Sequence, residues 1–559
     1  MERPVLNEMP LREKIAQILM IHQTALKSKI VEGKRTLRTM EEIKEIMEKY
    51  QYGSMYAAGG DTVRIDEEDP NRIIASTKCR SDQYKQWLAA LQKQVRLPML
   101  IAMDSARGLG YRFEDASETV GALAVGAAND EKLTEDLYAG IAREHRAVGS
   151  NWRWAPVVDI PNRFSSVSVG RSFSDDVNLM SKHVRATIRG MEKEKVATTV
   201  KHFPGDDPYE FRDSHLITPA IHLSLEDWEK EQGKAFQNAI DEGVMTIMTS
   251  HKAFPAVDDE KINGRYIPAS LSEKVIEGLL RKKMGFKGVI ITDDVNMAGL
   301  TTYCSREERL VKLINAGHDM ILGVQVDDLD LVYQAVCDGK ISMERIDASC
   351  ERVLALKERI GLFEETQETV DMAEANKMVS VANCKIAEKA ITLLYDRNGM
   401  LPISGEKVKK VAIIGIAHSP VLMTLLESMK AAFEERGALV SMYEGINADN
   451  YNQMAEEHDL VIYCGHISHH RPMGMPSFYD EKMRCFWYAF TRDNHKAIGV
   501  STGYPYIHYD CMAAANTFVN LYSYDKETLT AFVKAIYGEI PFRGKSPIDI
   551  EPKLRYIYC

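Results

Sequence analysis

Short apolar runs alternate with longer amphipathic segments along most of this chain. The first segment reads as a helix, because Leu11, Ile15, Ile18 and Leu19 recur at helical spacing and form one apolar stripe. Apolar runs of strand length follow at 52–56, 98–103, 154–158, 197–200, 244–249, 288–292 and 319–322. Helical patterns lie between most of them, at 131–148, 179–194, 225–242 and 271–283. Strands that alternate with helices predict a parallel sheet, since each parallel pair needs a crossover. Seven or eight such repeats over about 300 residues predict a (β/α)₈ TIM-type barrel.

A helix at 342–360 closes that section, and a polar, Glu-rich stretch at 363–376 reads as a linker. A helix then runs from 377 toward 390. Strands at 411–415, 460–464, 497–501 and 517–522, with helices at 421–436 and 526–537, predict a smaller doubly wound α/β sandwich domain. The expected division is a barrel at 1–362, a linker and connecting helix at 363–385, and the C-terminal α/β domain at 386–559. The fold class is therefore α/β throughout. No internal repeat or low-complexity tract interrupts it.

Composition narrows the function. A chain of 559 residues, 45% hydrophobic and 27% charged, has room for two or three cores. The net charge of −11, without a long basic run, argues against nucleic acid as a partner. No run of 18 apolar residues exists, so no transmembrane helix is expected. Nine cysteines stand singly, with no Cys-x-x-Cys pair, and the N-terminus lacks the layout of a signal peptide. Both point to the cytoplasm. Nothing in the pattern sets the oligomeric state, and a homodimer is one form it allows.

Several runs end in residues that can do chemistry: Asp104, Asp159, Lys201-His202, Ser250-His251 and Asp293. In a parallel barrel all strand C-termini share one rim, so these residues would meet at one mouth. The richest stretch is 201–215, which gathers Lys201, His202, Asp206, Asp207, Asp213 and His215 around a Pro-Gly turn. If the loop is extended at 213–215, Asp213 and His215 point the same way. The carboxylate then orients the imidazole and raises its pKa, giving a proton shuttle near neutral pH. The second signal is the run 288–292 followed by Asp293 and Asp294. A carboxylate fixed on a rigid strand suits attack on an anomeric carbon, but paired Asp residues also bind metals or lie on surfaces. Asp104 reads as a hydroxyl acceptor or a cap. Arg171, beside Gly170, reads as a guanidinium aimed by a tight loop or as half of a structural ion pair. The His466-Ile-Ser-His-His-Arg471 cluster matches no tetrahedral zinc spacing and reads as a polar loop. Gly59-Gly60 lacks a phosphate-binding context, and no Gly-x-Ser-x-Gly elbow is present.

The ordered set of motifs resembles glycoside hydrolase family 3, in the two-domain branch of β-N-acetylglucosaminidases. Leu11-Arg-Glu-Lys-Ile-Ala-Gln17, Ala155-Pro-Val-Val-Asp159, Gly170-Arg-Ser-Phe173, Lys201-His-Phe-Pro-Gly205, Asp213-Ser-His215, Ile291-Thr-Asp-Asp294 and Ala316-Gly-His-Asp-Met320 occur in the family's order. Lys496-Ala-Ile-Gly-Val500 and Gly538-Glu-Ile540 extend it into the second unit. The resemblance implies a retaining mechanism with no metal and no cofactor, acting on a small glycoside or oligosaccharide such as a muropeptide or chitin fragment. It implies Asp293 as nucleophile, His215 as acid/base oriented by Asp213, and Asp104, Arg171, Lys201 and His202 as the grip on the sugar. Two loops depart from the family. Asp206-Asp207-Pro208 stands where His-Gly-Asp is usual, and Ser105-Ala106-Arg107 replaces Glu-Gly-Gly. An acidic insertion beside the acid/base would favour another leaving group, or a cationic one.

Three rivals remain at this level. A phosphorylase would use the same site with phosphate as acceptor, since an imidazole does not repel an anion as a carboxylate would. A β-glucosidase or β-xylosidase of the family would draw its acid/base from the second domain, which Asp213-Ser-His215 argues against. A silent sugar-binding module would bind without turnover.

Overall fold

The computed structural model describes residues 2–57, 64–65, 73–74, 78–161, 163, 165, 168–210, 212–365, 369–417, 421–467 and 489–550. Eight strands form one parallel sheet: β1 (Leu19–His22), β2 (Ser54–Tyr56), β3 (Leu100–Met103), β4 (Trp152–Arg153), β5 (Ala197–Phe203), β6 (Thr246–Thr249), β7 (Val289–Thr292) and β8 (Ile321–Val324). Neighbours pair in chain order from β1 to β7, and β8 pairs with β1. A parallel bridge from Ile291 to Met320 links β7 to the start of β8, so the sheet comes round on itself. Met20, Leu100, Ala102, Trp152, Ala197, Met248, Val289, Ile291 and Leu322 fill the lumen. The alternate residues Ile21, Ile101, Ile247 and Ile290 belong to the layers under the helices. That period of two sets the mouth. Asp104 lies two residues past Ala102, Lys201 four past Ala197, and Asp293 two past Ile291, so all three continue lumen-facing rows.

The elements differ from the sequence reading in several places. The first strand went unread, because Leu19 continues the stripe of helix α1 (Leu11–Ile18) while already sitting in β1. Strand β4 stops at Arg153, and only Val157 bridges again, to Lys201. Pro156 between them has no N–H for the ladder. The single helix expected at 225–242 is two, Leu225–Lys230 and Gln232–Asp241, broken at Glu231 (φ −117°, ψ −91°). The buried Trp228 anchors the break, donating its indole N–H to Pro204 O at 2.7 Å. The segment Lys274–Lys283 is a π-helix rather than an α-helix.

A second sheet holds β9 (Thr392–Asp396), β10 (Lys410–Ala417), β11 (Leu439–Glu444), β12 (Leu460–His466), β13 (Ala497–Ser501) and β14 (Thr517–Asn520). Its order is β9-β14-β13-β12-β10-β11, parallel except for the antiparallel edge pair β9 and β14. The connecting helix, Met372–Ala390, starts inside the expected linker, with Asp371 capping it by accepting from Glu374 N at 3.0 Å. Asn383 in that helix is buried and ties it to the barrel. Its side chain donates to Glu118 O at 2.8 Å and accepts from Val120 N at 3.2 Å. No helix among the described residues is long and apolar enough to cross a membrane.

Candidate active site

Asp293 follows β7 and is held by its own backbone, with Asp293 N donating to Thr249 O at 3.0 Å. Its Oδ1 accepts from Asp294 N at 2.8 Å. Burial pulls its carboxyl up, but His202, His251 and His215 outweigh that and hold it below the usual carboxylate range. Asp294 does not share the cleft. Its Oδ1 accepts from Asn296 N at 2.9 Å and Asn296 Nδ2 at 2.8 Å. His251 is fully buried behind the pair, between Ser270 Oγ at 2.8 Å and the carbonyl oxygen of Asp294 at 3.0 Å.

Asp213 and His215 meet, but not by strand alternation. The segment is a turn, with Leu216 N and Ile217 N both donating to Asp213 O at 3.0 and 3.2 Å. Asp213 Oδ1 accepts from His215 N at 2.8 Å and from His215 Nδ1 at 2.6 Å. The carboxylate thus fixes the turn and the imidazole together, an Asx-type arrangement. Asp213 is buried, whereas the His215 side chain is 49% exposed, with Nε2 left for a ligand. The Asp213 hydrogen bond raises the imidazole pKa above its usual value, against a smaller pull from burial. Two contacts tie this turn to the Asp293 segment. Ala298 N donates to His215 O at 3.0 Å. At Gly299 an added Cβ would lie 2.4 Å from Ile217 O and 2.6 Å from Ser214 O, so the turn seats there only because the residue is glycine.

Of the remaining candidates, His202 lines the same cleft as Asp293 and His215, and Lys201, Asp104 and Arg171 are not among its lining residues. Lys201, buried at 2% exposure, reaches Asp104 Oδ1 at 3.2 Å. Burial raises the Asp104 carboxyl, but Lys201, Arg171 and Arg112 prevail and hold it far below the usual range. His202 Nδ1 lies 2.6 Å from Asp159 Oδ2, and His202 N donates to Asp159 Oδ1 at 3.1 Å. Asp159, only a strand ending in the sequence reading, therefore orients His202, leaving Nε2 toward the cleft. Arg171 makes no side-chain hydrogen bond or ion pair among the described residues, and its buried Nε has no partner. Its charge acts on Asp104, Lys201, His202 and Asp213 alike.

The acidic insertion does not present free charge. Asp206 forms an ion pair with Lys252, a residue the sequence reading missed although it directly follows Ser250-His251. Asp207 accepts from Tyr209 N at 2.7 Å and His222 N at 2.5 Å. Gly205 begins this loop with φ +104°, and an added Cβ would meet Gln232 Oε1 at 2.3 Å. These carboxylates are loop structure, which removes the argument for a cationic leaving group. One narrow cleft joins Asp293, His215, His202, Lys252 and this loop. Among the described residues no three His, Cys, Asp or Glu side chains converge as a metal-ligand set. In the second unit, His466 is buried and bonded to Thr502 Oγ1 at 2.9 Å. Residues 468–471 of its cluster, and Gly59-Gly60, lie outside the described residues.

The (β/α)₈ barrel thus carries a carboxylate at the end of β7 and a His-Asp pair on the loop after β5 at one cleft. Residues 10–356 match the Glycosyl hydrolase family 3 N terminal domain, and the chain belongs to that family. It is 29% identical over 489 residues to a beta-N-acetylglucosaminidase/beta-glucosidase of Cellulomonas fimi, covering 83% of this chain and 85% of that one. The fold is similar to that of a family 3 beta-N-acetylglucosaminidase from Paenibacillus sp. str. FPU-7. That match has a TM-score of 0.78 and 25% identity, over 97% of this chain and 99% of that one. A beta-glucoside phosphorylase has the same fold, with TM-score 0.82 and 24% identity over 98% and 95% of the two chains.

Proposed function

We propose that the protein is a retaining β-N-acetylhexosaminidase that releases terminal β-linked N-acetylglucosamine. The observation that supports this best is the backbone tie from His215 to Ala298, which keeps the Asp213–His215 pair and Asp293 on one cleft. The names of the Cellulomonas fimi and Paenibacillus relatives agree with the sugar. Asp293 attacks the anomeric carbon and forms a carbon–oxygen bond. The bond to the leaving oxygen breaks as His215 delivers its Nε2 proton there. In the second half, His215 takes a proton from water, which attacks the anomeric carbon and frees Asp293. An imidazole with a raised pKa is protonated near neutral pH, so it can serve as the acid first and the base second. Lys201, Asp104, His202 and Arg171 grip the hydroxyls of the sugar. In this reading the barrel, 1–362, carries the chemistry, and the α/β unit from 386 onward walls one side of its mouth.

Phosphate as acceptor is the second reading, because the site offers the half-exposed His215 imidazole and, in Arg171, a guanidinium whose buried Nε has no partner among the described residues. One experiment separates the two. Release of p-nitrophenol from its β-N-acetylglucosaminide is followed with and without phosphate. Phosphate-independent release supports the hydrolase, phosphate acceleration with a sugar 1-phosphate product supports the phosphorylase, and release that persists in Asp293→Ala refutes both.

A further inference from the structure

Between the barrel loop at 104–121 and the segment 503–525 of the second unit lies a cavity of about 190 Å³. Arg107, Tyr111 and Tyr524 line it, with Glu118 and Asp525 as its acidic groups. The Arg107 guanidinium lies 4.8 Å above the Tyr524 ring and donates to the Tyr524 hydroxyl, yet it makes no ion pair among the described residues. Both acids are occupied elsewhere. Asp525 accepts from Thr528 N at 2.9 Å and Thr528 Oγ1 at 2.8 Å, as the cap of helix Lys526–Ile536. Glu118 faces solvent and pairs with Lys78 at 3.3 Å.

Arg107 is half-buried, and the Asp525 and Glu118 carboxylates act on it across the cavity, but neither bonds to it, so the Tyr524 hydroxyl is the one hydrogen-bond partner of its guanidinium among the described residues. Burial first, and the like charge of Arg171 second, pull the Arg107 pKa down to about 10, against smaller pulls upward from Asp525, Glu118 and Tyr111. The cavity also adjoins the site described above. Tyr111 donates its hydroxyl to the carbonyl oxygen of Asp104, and Arg112 Nε donates to the same oxygen at 3.3 Å. The cavity therefore borders the segment that carries Asp104, within reach of a substituent on a sugar held there.

We propose that this cavity is an oxyanion subsite, in which Arg107 takes a carboxylate or phosphate group carried on the bound sugar. The guanidinium offers two parallel N–H donors to such a group, with Tyr524 holding its plane from below. The inference rests on the sugar-binding part of the proposed function, not on its chemistry.

The test is calorimetric titration of the full chain with N-acetylglucosamine, its 6-phosphate and its 3-O-lactyl ether, a carboxylate. At least one of the acids should bind about tenfold or more tightly than the neutral sugar, the scale of a charge-assisted contact. Arg107→Gln should erase that margin, and Arg107→Lys should keep part of it. Which acid gains identifies the group. Equal affinities for all three sugars overturn the subsite, and so does an Arg107→Gln variant that weakens all three alike, which would make Arg107 a latch between the two units. Binding is read without turnover, so absent nitrophenol release would count against the glycosidase reading alone.

Discussion

At the floor of the barrel Asp319 is fully buried, and both of its oxygens are filled. Oδ2 accepts from Arg281 at 2.6 Å and from Ile290 N at 3.0 Å. Oδ1 accepts from Arg345 at 2.9 Å and from Arg352 at 2.8 Å. At the mouth, Asp213 is also buried, but among the described residues its Oδ2 has no hydrogen-bond partner, and Arg171, unlike Arg281 and Arg345, makes no side-chain hydrogen bond or ion pair. Both ends bury charge among arginines. The floor cluster satisfies its carboxylate from within the protein and leaves it nothing for a ligand. The mouth cluster is short of partners, a state that costs stability and is retained where a substrate completes it. Charge at the floor is therefore architecture, and charge at the mouth is left for a ligand to complete.

Substitutions should separate the two ends. Asp293→Ala should lower kcat/KM by at least about 10⁴-fold, as removal of a nucleophile does, while the thermal melting curve stays in place. His215→Ala should cost about 10²–10⁴-fold with alkyl leaving groups and far less with p-nitrophenol, which needs no proton. Asp319→Ala should do the reverse. It leaves buried arginines without their counter-charge and should cost about 3–5 kcal/mol, read from the urea midpoint, with turnover per folded molecule preserved. If Asp319→Ala abolished turnover in folded protein, the contrast would fail. Gly299→Ala should push the His215 turn away from its seat and lower kcat/KM by up to about 100-fold for poor leaving groups, with little change in stability.

The smallest effect is a shift in pH dependence. Glycosylation needs His215 protonated, so kcat/KM should fall as pH rises through its pKa, which lies above the usual value of about 6.5. Asp213→Asn removes the first cause of that elevation, so the alkaline limb should move to lower pH. A limb that stays in place would detach Asp213 from the proton shuttle.

Much of this contrast was legible in the residue pattern. The run 288–292 ends at Asp293, and the period of two already placed one carboxylate of the Asp293-Asp294 pair in the mouth. Strand β1 was hidden because Leu19-Met20-Ile21 prolongs the apolar stripe of α1, and a stripe and a short buried run look alike. Strand β11 is half-exposed along most of its length and gave no alternation to read. The Asp213–His215 pair was found for a reason that does not hold. Two residues apart on an extended loop would suffice, yet a turn brings them together through the Asp213 side chain itself. Asp159 and Lys252 escaped as site residues because their partners, His202 and Asp206, become neighbours only when β4, β5 and β6 lie side by side.

The most direct test of the account is to trap the glycosyl-enzyme intermediate with a 5-fluoro-N-acetylglucosaminyl fluoride and locate the adduct by peptide mass spectrometry. The account predicts one sugar per chain, esterified to Asp293 and absent from Asp293→Ala. An adduct on Asp294 or any other residue, or rapid turnover with no adduct, would contradict it.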